Sequence, residues 1–238
     1  MKMKLDILES SKKMESIVFP NRLYYRPSAF PTVVNEIRAT KVVLVSHLHL
    51  REQKEYVSDI CKERGIEVYS VDVPDSPPTR PSIEQLKEAL DLVRPETIIC
   101  VGSVHASYHC AAAFQDGIRP EFVYVASDNR PIPVMLGYYM YMGKTVHSDR
   151  ACPDFVVLDS VITDISVDAI QLCINLAESK SKLLGSLTEP VKRIGKELLG
   201  TVKLDCPEWR EKATNLVGTL MLSRPEVGRF IRQIKIGF

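Results

Sequence analysis

The run Thr97-Ile98-Ile99-Cys100-Val101-Gly102-Ser103-Val104-His105 constrains the fold more than any other stretch. A short apolar segment ends in glycine and flows into a helix-like stretch, Ala106 to Phe114. That is the layout of a buried strand, a tight turn and a helix N-terminus. Backbone N–H groups and the helix dipole at such a turn favour an anion. Only one glycine is present, whereas a loop whose backbone approaches a pyrophosphate uses several. The stretch keeps the frame of a phosphate site and lacks much of its chemistry. A strand-to-helix turn with nothing bound accounts for Gly102 equally well.

The neighbouring segments repeat the same alternation. Short strands are expected at 16–19 and 22–25, split by Pro20-Asn21, followed by a helix over 28–38. Lys41 to Ser46 reads as a strand buried on both faces. A helix over 51–64 stops at Gly65, and a strand follows over 66–71. After the proline-rich loop 74–81, Ser82 is expected to cap a helix, with Gln85 completing a capping box. Ile83, Leu86, Leu90 and Val93 give that helix one apolar stripe. Another strand is expected over 121–126. Near Val167 the pattern changes, and only helices are expected beyond it, over 181–199, 207–222 and 225–234. The fold class is α/β: an N-terminal parallel Rossmann-like sheet with helices on both faces, then a small all-α C-terminal domain. The expected domains are 1–165 and 166–238.

Composition excludes several classes. A net charge of +1 gives no bulk reason to expect nucleic acid or an acidic membrane as partner. No apolar run approaches the roughly 20 residues that span a bilayer, and the N-terminus lacks the apolar core of a secretory signal. Six cysteines without a Cys-x-x-Cys pair suggest free thiols and a cytoplasmic location. Cys100, Cys110 and Cys173 lie in apolar contexts and suit the core.

The histidines are 47, 49, 105, 109 and 147. His47 and His49 follow the first long strand, while His105 and His109 share one helix face. Both pairs are expected at the C-terminal edge of the sheet, where ligands of doubly wound folds gather. His47, His49, His105 and His109 could therefore form a metal site, or stand as polar cleft residues. Arg130 and Lys144 could pair with a phosphate or with surface carboxylates.

Four stretches, taken in order, resemble the iron-dependent alcohol dehydrogenase and dehydroquinate synthase superfamily, which includes the glycerol dehydrogenases. They are Phe19 to Tyr25, Val71 to Thr79, Ile98 to His105, and Lys144 through Asp159 with Val167-Asp168-Ala169-Ile170. The resemblance covers roughly residues 16–175 and is degenerate and truncated. It implies an N-terminal nucleotide-binding domain, an all-α C-terminal domain and a divalent metal in the cleft between them. It places the cofactor against Gly102, Ser103, Val104, His105, Ser127 and Asp128, and a relic metal ligand at Asp168. Asp168 also suits a first helical turn, where negative charge is favourable.

Departures from the family pattern bear most on function. The glycine-rich turn keeps only Gly102, and the family's following Asp and Lys are Tyr108 and Ala111. The family histidine four residues after Asp168 is Leu172, and no histidine follows His147. The expectation is weak or absent NAD(P) binding and an absent family iron or zinc site. Three functions are open: a non-catalytic binding or scaffold subunit, an active NAD(P)-dependent alcohol or polyol dehydrogenase-like enzyme with altered ligands, and a sensor of a nucleotide or small phosphate. A homodimer, or a heteromer with an intact paralogue, is the expected assembly, with no nucleic acid and no membrane.

Overall fold

The computed structural model describes residues 22–25, 28–115, 119–127, 138–165, 167–179, 184–201 and 206–223. The expected strand over 16–19, the helix over 225–234, Asp128 and Arg130 lie outside them.

Strands and helices alternate through the first half: β1 (Arg22–Tyr25), α1 (Ala29–Val34), β2 (Lys41–Ser46), α2 (Arg51–Glu63), β3 (Glu67–Asp72), α3 (Arg80–Val93), β4 (Thr97–Gly102), α4 (Val104–Ala113) and β5 (Glu121–Ala126). A hairpin, β6 (Tyr138–Tyr141) and β7 (Lys144–His147), precedes β8 (Phe155–Leu158). The rest is helical: α5 (Val167–Ser179), α6 (Thr188–Gly200) and α7 (Pro207–Ser223). Six strands form one parallel sheet in the order β1-β8-β5-β4-β2-β3. Parallel neighbours need crossovers, which α2, α3 and α4 supply.

The strand sequences explain the two covered faces. Alternate residues of each strand point to opposite sides. Val42, Leu44, Ile99, Val101, Val123, Val125 and Val157 pack under residues of α1 and α2. Val43, Val45, Ile98, Cys100, Phe122, Tyr124, Val156 and Leu158 pack under α3 and α4. Because both faces are covered, the strands read as continuous apolar runs. That second cluster continues into Ile170, Leu198, Trp209 and Leu220 of the helical segment. The close approach of α7 to β1 depends on Gly218, where an added Cβ would lie 2.3 Å from Tyr25 Cγ.

The cap of α3 is a correction. The N-cap is Thr79, with Ser82 at the third helical position closing a reciprocal box. Pro81 is tolerated in the first turn because its missing N–H would have no intrahelical partner there. The helix therefore starts three residues earlier than Ser82 and Gln85 implied. The hairpin and β8 were not anticipated as separate strands. Among the described residues no helix is long and apolar enough to cross a membrane.

Candidate functional site at the switch point

The sheet order places the site. From β2 the chain moves outward to β3, then returns to the other side of β2 as β4. The loops leaving β2 and β4 diverge there, opening a crevice at the C-terminal strand ends. His47 leaves β2 and Ser103 leaves β4, so the two meet across this crevice.

Ser103 caps α4, its Oγ accepting the His105 backbone N–H at 3.2 Å. The same hydroxyl donates to Asp75 Oδ1 at 2.7 Å and lies 2.9 Å from His47 Nε2. His47 Nδ1 faces the Val73 carbonyl at 3.1 Å. A carbonyl only accepts, so Nδ1 carries a proton. His105 Nδ1 lies 3.2 Å from Asp75 Oδ1, and His49 Nε2 lies 3.9 Å from Asp75 Oδ2. His49 stacks on His47 with ring centroids 5.4 Å apart. Three imidazoles and one hydroxyl thus surround a single carboxylate.

The carboxylate stands where an anion is favoured, at the N-terminus of α4. Gly102 leaves little spare room. A Cβ there would lie 2.7 Å from Ala106 Cβ and 3.1 Å from His47 Cδ2. The glycine is needed for the close approach of its own neighbours.

Environment sets the charges. Burial is the largest influence on His47 and lowers its pKa below the ordinary 6.5, against the raising effects of Val73 and Asp75. For Asp75, burial acts upward, but the Ser103 hydroxyl and the His47 and His105 imidazoles outweigh it and hold the pKa below 3.8. Asp75 is therefore ionised at neutral pH.

The structure brings together Gly102, Ser103, Val104, His105, His47 and His49. Ser127 adjoins them through its backbone N–H, which donates to the Gly102 carbonyl at 2.9 Å. His109 is separate in role: it is fully buried in α4, and its Nδ1 donates to the His105 carbonyl at 2.9 Å. Its Nε2 is buried without a hydrogen-bond partner. Among the described residues no three His, Cys, Asp or Glu side chains are placed to hold a metal ion. Asp168 lies in the first turn of α5, and its side chain is outside the described residues. Cys100, Cys110 and Cys173 are buried, and burial pushes the Cys173 thiol up to about 12.

Sequence reasoning missed Asp75. The residue lies between Pro74 and Pro77, in a loop that leaves β3 at the same sheet edge as His47 and Ser103, which is the signal that could have exposed it.

No family model matches the sequence, and no curated protein matches it. Solved structures do. The NADH-dependent butanol dehydrogenase A of Thermotoga maritima superposes with a TM-score of 0.66 at 16% identity, covering 90% of this chain and 65% of that one. The maleylacetate reductase of a Rhizobium species gives 0.62 at 17%, covering 87% and 65%. An iron-containing alcohol dehydrogenase of Thermococcus thioreducens gives 0.60 at 12%, covering 86% and 65%. The chain therefore spans 65% of the length of these structures. With its parallel sheet, its crevice at the β2–β4 switch and its trailing helices, the chain has the fold of the iron-containing alcohol dehydrogenases.

Proposed function

We propose that this chain is a non-catalytic binding or scaffold subunit built on a dehydrogenase fold. The observation that carries this reading is the occupation of the α4 N-terminus by Asp75, held by Ser103 and the surrounding imidazoles. A pyrophosphate entering that turn would meet a carboxylate of its own sign, and the Ser103 hydroxyl is already donated. His47 fills the space beside Gly102. The residues present do not fit a dinucleotide at this turn.

The donor set does not fit the fold's metal either. Leu172, where the resemblance places a histidine, has no donor atom, and Asp168 is the one matching ligand within the stretch that the resemblance covers. A catalytic metal normally needs three or more protein ligands. The division at residue 165, a cytoplasmic setting for the free thiols, and assembly with a second copy or an intact paralogue belong to the same proposal.

A sensor of small phosphates is the second reading, and the Asp75 carboxylate beside the α4 turn, hydrogen-bonded to Ser103, supports it. Titration calorimetry with NADH and NADPH tests the first reading. The expected result is no saturation below millimolar cofactor, about −4 kcal/mol or weaker. Micromolar binding by the unaltered chain would overturn it.

A further inference from the structure

Ser103 Oγ has one proton, and two acceptors face it. Its oxygen already accepts the His105 N–H, so its own proton goes either to Asp75 Oδ1 at 2.7 Å or toward His47 Nε2 at 2.9 Å. Val73 fixes the His47 proton on Nδ1, leaving a lone pair on Nε2 when the ring is neutral. That lone pair also lies 3.3 Å from Asp75 Oδ1. In the neutral state the Ser103 proton serves only one of these two acceptors at a time; when it turns to Nε2, Asp75 is left to His105 Nδ1 and solvent. A proton on Nε2 converts it to a donor. Ser103 can then donate to Asp75 while Nε2 donates toward Ser103 and Asp75, and the opposite charges attract.

We infer that His47 and Asp75 form a proton-gated latch that fastens the β3–α3 loop, residues 73–79, across the α4 turn. This rests on the reading of the turn as closed by the chain's own side chains. Protonation of His47 tightens the latch, and its loss weakens it. The other charged groups around it come from each adjoining element. His49 follows β2, and His105 and the buried His109 lie on α4. Asp72 ends β3, where it accepts from Ser46 Oγ at 3.2 Å and from Lys54 Nζ of α2 at 2.7 Å. Lys54 and Asp72 neutralise one another, which leaves His47, its pKa below the ordinary 6.5, as the group whose charge works the latch. Asp75 keeps its charge across the imidazole range, because its partners hold its pKa below the ordinary 3.8. It is also the more movable member: its side chain is 42% exposed, against 1% for His47.

NMR titration of the full chain tests the latch. The His47 ring signal and the backbone amides of Asp75 and Ser76 are followed from about pH 5 to about pH 8, with no nucleotide present. The amides are expected to titrate at the His47 midpoint, with loop motion increasing above it. Asp75→Asn is expected to abolish that coupling and to move the His47 midpoint further down, since the carboxylate raises it. Ser103→Ala, which keeps the ion pair, is expected to leave a diminished coupling. Loop amides blind to His47 titration, or equally responsive in Asp75→Asn, would overturn the inference. Tight NADH binding would overturn the scaffold reading while leaving this coupling intact, so the two fail separately.

Discussion

Two aspartates sit at two helix N-termini, and they behave in opposite ways. Asp159 follows β8 and caps α1 from across the fold, accepting the Phe30 N–H at 2.9 Å and the Val161 N–H at 3.0 Å. It is fully buried, and that burial raises its pKa against the lowering effect of the backbone N–H groups that it accepts. Asp75 caps nothing in its own helix. It is half-exposed and held by side chains, three of them imidazoles, and its pKa is lowered. Backbone donors cannot change charge or leave, so the Asp159 contact is permanent. The partners of Asp75 can do both, so its contact responds to conditions. One carboxylate builds the fold and the other occupies the switch-point crevice.

The largest expected effect breaks the first member of the pair. Asp159→Ala leaves the buried N–H of Phe30 and the part-buried N–H of Val161 without their acceptor. Each such orphan costs roughly 1–3 kcal/mol. A loss of about 3 kcal/mol is expected, read from urea unfolding at neutral pH. A loss under about 1 kcal/mol would mean that water replaces the carboxylate, and that the site is less closed than its burial implies.

Gly102→Ala is expected to come next. The new Cβ would stand 2.7 Å from Ala106 Cβ, so either the turn or His47 must move. Overpacking of this kind costs roughly 1–3 kcal/mol. The same substitution is expected to disturb the His47 ring signal. A normal ring signal with normal stability would show that the crevice has more room than these distances allow.

Much of this architecture was legible in the sequence, and the reasons are physical. Strands buried on both faces read as apolar runs, and Val42–Val45 and Ile98–Val101 are of that kind. The positions of His47, His49 and His105 just after strands placed them at one sheet edge, while the switch point itself comes from the strand order in the structure. The short strands were harder. Tyr138–Tyr141 and Phe155–Leu158 have four residues each, too few to show a period. Partners distant in sequence were invisible: Asp75 meets Ser103 across 28 positions, and Asp159 meets Phe30 across 129. Nothing local to either aspartate distinguishes a solvated loop carboxylate from one seated on a helix.

Ser103→Ala sharpens the comparison at moderate cost. It removes the α4 cap and the hydroxyl between His47 and Asp75. Loss of a serine cap costs about 1 kcal/mol. Unfolding measurements are expected to show that loss. A loss above about 2 kcal/mol would mean the hydroxyl holds more of the crevice together than one cap.

Asp75→Asn is expected to have the smallest effect on stability, and its pH dependence carries the information. At neutral pH the loss should stay below about 1 kcal/mol, because a half-exposed carboxylate is screened by solvent. The sign follows from the direction of the shift. Asp75 has a folded pKa below the unfolded value of 3.8. Its contribution is therefore present above pH 3.8 and disappears as pH falls through the folded value. The difference between wild type and Asp75→Asn should accordingly vanish in acid. Asp159, with its folded pKa raised, must show the reverse in Asp159→Asn. The folded state holds that proton more tightly, so the wild-type advantage is greatest in acid and shrinks as pH rises past 3.8 through the folded value. Urea midpoints of the three proteins from about pH 2.5 to about pH 5.5 read both slopes, below the main imidazole range. Slopes of the same sign would mean that the two helix ends hold their carboxylates alike, and the distinction between a structural and a responsive aspartate would be lost.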